Sequence, residues 1–216
     1  MNTAVKLTKG EETRAHILKA ALRKASIGGF EALTIGSLAE QTGLSKSGLF
    51  AHFGSKEELQ IATLDEAVRR FHEAATYPAL SAPRGLQRLT ALFENWLTWT
   101  ARSDLTACPL MTASMEYDDK PGPVRDAMLR HSRTLQEGMV TAIRMTIDTG
   151  EFSASTDAEQ IAFELFGIIS GYYRLRNLFP GKNASHHAKQ AFNRLVSSAL
   201  SAQSQYRSAV SIRSPI

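Results

Sequence analysis

The residues of this chain whose types and order suit a chemical task gather between Thr34 and Leu59, in TIGSLAEQTGLSKSGLFAHFGSKEEL. Lys46, Ser47, Gly48, Phe50 and His52 are set apart from the apolar pair Leu49 and Phe53, with little bulk at the N-terminal end. That is the composition a helix needs to enter a DNA major groove. Ser55 and Glu58 then form an S-x-x-E pair, so Lys56 and Glu57 open a further helix whose first amides could meet a phosphate. The chemistry these residues offer is hydrogen bonding and charge pairing with a nucleic acid.

Other chemistries find less support. There is no Gly-rich phosphate loop, G-x-S-x-G elbow, H-E-x-x-H or cysteine pair, so no enzyme activity is expected. Glu116, Asp118 and Asp119 read as a polar turn before a proline-started helix. Adjacent histidines such as His186 and His187 point in different directions on a helix, and no metal and no cofactor are expected. The lone Cys108 rules out an intrachain disulfide; with no Lys, Arg or His beside it, it reads as structural rather than as a sensor thiol. No apolar run reaches the ~18 to 20 residues that span a bilayer, and no signal-peptide core opens the chain, so a cytoplasmic protein without a membrane partner is expected.

Charge supports the nucleic-acid reading independently. Up to Lys56 the chain holds eight Lys and Arg against four Asp and Glu, and the rest is balanced at seventeen of each. The whole net charge of +4 is therefore N-terminal. A basic small domain on a neutral body is the footprint of phosphate binding, and its affinity should fall as salt rises. Lys6 and Lys9 are assigned to a loose N-terminal arm.

The elements that must position these groups read as helices throughout. Thr8 to Glu11 is a capping box for the first. Thr34 caps a short helix that turns Ile35, Leu38 and Ala39 inward, Gly43 permits the left-handed turn, and Ser45 caps the next helix. A linking helix is expected from Lys56 to about Thr76, ending before Tyr77-Pro78, then one from Leu86 to about Ala101 and one around Pro109 to Tyr117. Val124 to about Thr149, Asp157 to Phe179 and Ser185 to about Gln205 complete the set, followed by a frayed tail at 206–216. At 216 residues and 43% hydrophobic, one small and one larger unit are allowed.

With these residues in view, Thr13 to Leu59 resembles the DNA-binding domain of the TetR family of bacterial one-component regulators. The likeness rests on TRAHILKAA, Gly29-Phe30, Leu33-Thr34, Leu38-Ala39 and GLSKSGLFAHFGSKEEL, about a quarter of the chain. It implies an all-α fold of about nine helices, with a three-helix DNA-binding domain at 1–56 and a helical effector-binding and dimerisation domain at 57–205. It also implies phosphate contacts from Thr34, His52 and Lys56 and groove contacts from Lys46, Ser47 and Gly48. Phe50 stands where the family commonly has a phosphate-binding tyrosine, and could instead touch a thymine methyl. Ala25 stands where a large aromatic is common, its space left to Phe30 or Phe53.

The resemblance further implies a pocket lined from Phe93, Trp96, Leu97, Met111, Met115, Met139, Ile143 and Phe166, with Arg102, Glu116, Tyr117, Arg174 or Arg176 as polar anchor. It implies a homodimer seam from Phe163, Gly167, Ser170, Phe192, Leu195, Val196 and Ala199. The expected function is a sequence-specific transcriptional repressor, released from double-stranded operator DNA by a small hydrophobic or amphipathic effector. Two alternatives stand beside it: a helical protein-interaction adaptor with a degenerate helix-turn-helix, and a transcriptional activator.

Overall fold

Thr8 opens the first helix because its hydroxyl accepts the Glu11 amide while the Glu11 carboxylate takes the Thr8 N–H at 2.7 Å, a complete capping box. Helix α1 (Lys9–Gly28) therefore begins at Lys9, which belongs to the helix and not to the arm. The computed structural model describes residues 8–102 and 104–201; Lys6 and the tail from 206 lie outside them.

After α1 come α2 (Ile35–Thr42), α3 (Lys46–Phe53) and α4 (Lys56–Phe71), then a π-helical turn (His72–Thr76) that runs on into α5 (Tyr77–Leu80). Beyond these lie α6 (Leu86–Thr100), α7 (Pro109–Glu116), α8 (Pro123–Asp148), α9 (Ala158–Leu178) and α10 (Ala184–Ala199). Counting the unbroken run from Lys56 to Leu80 as one, the described residues form nine helical rods. Their only β pairing is an isolated bridge between Phe152 and Leu200.

The chain divides into two compact units. The first takes the chain up to Arg70 together with Arg102–His131; the second takes Phe71–Ala101 and the chain from Ser132 onward. In the first, α1 presents Ile17, Ala21 and Ala25 to Leu38 of α2 and Leu49 and Phe53 of α3. Phe30 and Phe53 supply the aromatic bulk around the small Ala25. Ala113 and Tyr117, with Val124, Ala127 and Met128 of α8, complete the same core. Helices α1 to α3 thus share their interior with α7 and the start of α8, whereas the functional division expected from sequence falls at residue 56.

In the second unit, Phe93 of α6 stacks on Phe192 of α10 at 4.2 Å, and Trp96 meets Phe166 of α9 edge-on at 5.4 Å. Gly85 offers no side chain to cap α6. The Glu151 carboxylate does so from across the unit, accepting the Leu86 N–H at 2.8 Å in space that a Cβ on Gly85 would occupy.

Two helix ends differ from the sequence expectation. The linking helix does not stop before Tyr77-Pro78 but continues to Leu80. A π turn widens it there, Tyr77 N–H bonding to His72 O, which makes room for the proline ring. α10 ends at Ala199, short of Gln205, because the Ala199 carbonyl accepts the Ser153 N–H at 2.8 Å and Leu200 turns extended to pair with Phe152.

Candidate nucleic-acid interface and effector cavity

The reader surface is built by its turn and caps. Gly43 is left-handed at φ 70°, and Ser45 Oγ accepts the Gly48 N–H at 3.0 Å to start α3. With Leu49 and Phe53 buried, Lys46, Ser47 and Phe50 stand exposed, while Gly48 and His52 are half-buried. A Cβ on Gly48 would lie 3.2 Å from Ser45 Oγ, so glycine there keeps the cap tight. Thr34 is exposed and caps α2, its Oγ1 accepting the Ser37 N–H at 3.1 Å. The Lys46 stem passes over Gly36.

Lys56 does not stand alone: its ammonium sits 2.8 Å from Glu31, and that bond holds the Glu31 carboxyl below the usual range. Ser55 Oγ accepts the Glu58 N–H at 3.0 Å, but the Ser55 amide goes to Phe53 O, so only half of the expected capping box forms.

Two supporting residues were not foreseen. Arg14 lies 4.4 Å above the Phe53 ring and donates to His52 O at 2.8 Å, bracing the end of α3. Glu116 accepts the backbone N–H of Phe30 and of Glu31, each at 2.7 Å, and so fastens α7 to the turn before α2. Gly29 (φ 79°) lets that carboxylate close in, since a Cβ there would lie 2.8 Å from Glu116 Oε2. A sequence separation of 85 or 86 residues carries no local signal for such a bond. Tyr117 next to it is buried; burial first, then the charges of Glu31 and Glu116, push its hydroxyl well above the ordinary tyrosine pKa.

The second unit holds a cavity of about 250 Å³. It is lined by Arg88, Leu92 and Trp96 of α6, by Leu135, Met139, Ala142 and Met145 of α8, and by Phe71, His72, Thr76 and Leu80 from the end of α4, the π turn and α5. Of the eight residues expected to line a pocket, Trp96 and Met139 do so. Phe93, Leu97 and Ile143 are buried in the core, and Phe166 packs on Trp96. Met111 and Met115 belong to the first unit, on α7, with Met115 48% exposed. Helical spacing marks an apolar stripe but not the unit it packs in.

None of the five expected anchors lines this cavity. Arg102 pairs with Asp104, Glu116 and Tyr117 lie in the first unit, Arg176 donates to the carbonyls of Thr100 and Ala101, and Arg174 is exposed. The cavity's charged residue is Arg88, which the sequence did not single out.

The seam candidates separate by direction. Phe163 (74% exposed) and Gly167 face outward on α9, and Ser170 and Val196 are half-buried. Phe192, Leu195 and Ala199 are buried within the chain, so they are intrachain core rather than free surface. Cys108 is buried at the start of α7. Among the described residues no cluster of three or more His, Cys, Asp or Glu could hold a metal, and no helix is long and apolar enough to cross a membrane.

Residues 17–63 match the model of bacterial regulatory proteins of the tetR family, and residues 85–192 match that of the tetracyclin repressor-like C-terminal domain. This chain belongs to the TetR family of transcriptional regulators. The family consists of DNA-binding regulators, not enzymes. It is similar to the HTH-type transcriptional regulator TtgR of Pseudomonas putida, 27% identical over 186 residues covering 82% of this chain and 86% of that protein. Among solved structures, a TetR transcriptional regulator from Chloroflexus aurantiacus superposes with a TM-score of 0.76 at 23% identity, over 88% of this chain and 96% of that one. AibR, solved with isovaleryl coenzyme A and operator DNA, gives a TM-score of 0.68 at 18% identity, over 86% and 97%. These two share the fold.

Proposed function

We propose that this TetR-family regulator is a homodimeric repressor that reads an operator through α3 and leaves it when a small molecule fills the cavity in its second unit. The observation that carries the reading is the division of α3: Leu49 and Phe53 buried, Lys46, Ser47 and Phe50 exposed at a tightly capped start. Lys46, Ser47 and Gly48 contact base edges, with Phe50 against a thymine methyl, while Thr34, His52 and Lys56 contact phosphates. Two such helices read half-sites about one turn, ~34 to 36 Å, apart, which calls for a two-fold dimer. The outward Phe163 and Gly167 of α9 suit its seam.

AibR was solved with both an acyl ligand and operator DNA, which supports joining the two activities in one chain. Ligand in the cavity favours a form whose heads no longer fit both grooves, and a coupling of ~1 to 3 kcal/mol changes operator affinity by ~5-fold to 150-fold. The reading is tested by titrating operator and random DNA with two variants. Lys46→Ala should weaken the operator by ~1 to 3 kcal/mol more than random DNA; Lys56→Ala should weaken both alike and lower the salt slope by about one. Equal effects of the two changes on the two DNAs would overturn this division of labour.

A further inference from the structure

The cavity wall carries a positive charge and no negative one. Its residues include no Asp or Glu, and its two basic side chains are His72 and Arg88. The Arg88 guanidinium is half-buried and donates only to carbonyl oxygens, from Nε and Nη2 to Ala82 O at 3.1 and 2.9 Å and from Nη2 to Leu80 O at 3.2 Å. Among the described residues no carboxylate pairs with it. His72 Nδ1 lies 3.0 Å from Thr76 Oγ1, which places that imidazole in the π turn's own hydrogen bonding.

An arginine held by carbonyl dipoles alone beside an apolar space keeps its net positive charge uncompensated, and a carboxylate can neutralise that charge while accepting from the guanidinium fork. Leu92 and Trp96 follow Arg88 at i+4 and i+8 on one face of α6, and with Leu135, Met139, Ala142 and Met145 of α8 they form a lining that suits a hydrocarbon or aromatic body and whose two methionines can adapt to its shape. The cavity thus offers one guanidinium near the start of α6 and, beyond it along α6 and α8, a mainly apolar lining that includes the hydroxyls of Thr134 and Thr141.

We infer that the effector is a small hydrophobic monocarboxylate, its carboxylate on Arg88 and its apolar body along α6 and α8. This rests on reading the cavity as the effector site. Size narrows the class. An apolar cavity of ~150 Å³ accommodates benzene, so the 250 Å³ here suits about ten non-hydrogen atoms. That is a medium-chain fatty acid or an arylalkanoic acid, while a quaternary or primary ammonium of the same length meets a like charge.

The test uses the full-length protein and three probes of matched length, octanoate, n-octanol and n-octylamine, in calorimetric titrations. Octanoate should bind about tenfold more tightly than octanol, and octylamine more weakly than both. Arg88→Gln should bring octanoate to within about twofold of octanol and leave octanol unchanged, while Arg88→Lys keeps the preference. Octanol serves as the control for folding, because a purely structural arginine would lower both ligands together, a result that overturns the assignment.

Gly138 lines the cavity with open space around the position of its missing Cβ. Gly138→Leu should therefore abolish binding of octanoate and octanol without lowering the melting temperature. Equal wild-type affinities for octanoate and octanol, both lost in Gly138→Leu, would overturn the carboxylate and leave the effector cavity standing. Octanoate binding that persists unchanged in Gly138→Leu would overturn the site itself.

Discussion

Glu116 shows how one side chain can govern a surface it does not belong to. Its carboxylate binds the Phe30 and Glu31 amides, and Glu31 in turn pairs with Lys56 at 2.8 Å, so the turn before α2 and the start of α4 share one network. Glu116→Gln keeps one acceptor oxygen but sets an NH₂ against the second amide. The loss should be ~1 to 2 kcal/mol, read as roughly tenfold faster hydrogen exchange at Phe30 and Glu31, with no change at α9. Unchanged exchange at both amides would show the clasp to be weak in solution. At this scale the sequence was informative where chemistry is local. Thr34, Ser45 and Gly43 announce caps and a turn within four residues, and the structure has them there. Arg14, Glu116 and Arg88 were illegible because their partners are set by packing, or, for Arg88, because it lines a cavity that exists only in the folded chain.

Among the elements, α4 and the π turn after it were the least faithful to pattern. Helical periodicity runs unbroken through Phe71, and the proline at 78 suggests a stop, yet widening by one residue lets the chain carry the proline and continue. The last turn of α4 is held by Glu66, which takes Arg69 at 2.7 Å and Arg70 at 2.6 Å. Burial alone would raise the Glu66 carboxyl, but the bonds from Arg69 and Arg70 outweigh it and hold the group below its usual value. A depressed folded value means the pairing stabilises fully above the ordinary carboxylate pKa of about 4.3 and is lost as pH falls through the lowered one. Glu66→Gln should therefore cost ~0.5 to 1 kcal/mol at pH 7 in denaturant titrations, with the difference from wild type vanishing in acid. A difference that grew on acidification would contradict the sign.

For the molecule as a whole, the helical class, the order of the helices and the family were readable, because the side-chain caps that open α1, α2, α3 and α9 leave little freedom in how the pattern is parsed. The grouping into units was not. α7 joins the reader head through Ala113 and Tyr117, although it lies beyond α6 in sequence and its methionines resemble pocket residues. Dimerisation belongs to this scale. Phe163→Arg places a charge on the most exposed aromatic of α9 and should shift sedimentation from dimer to monomer, lowering operator affinity by more than ~100-fold through loss of the second half-site. A variant that stayed dimeric would move the seam elsewhere. The central claim, a dimeric reader of one operator, is tested most directly by selecting genome fragments on the purified protein at moderate salt and sequencing what is retained. A shared palindrome with half-sites about one helical turn apart is the predicted result; retention of fragments with no common sequence, or of none at all, would contradict it.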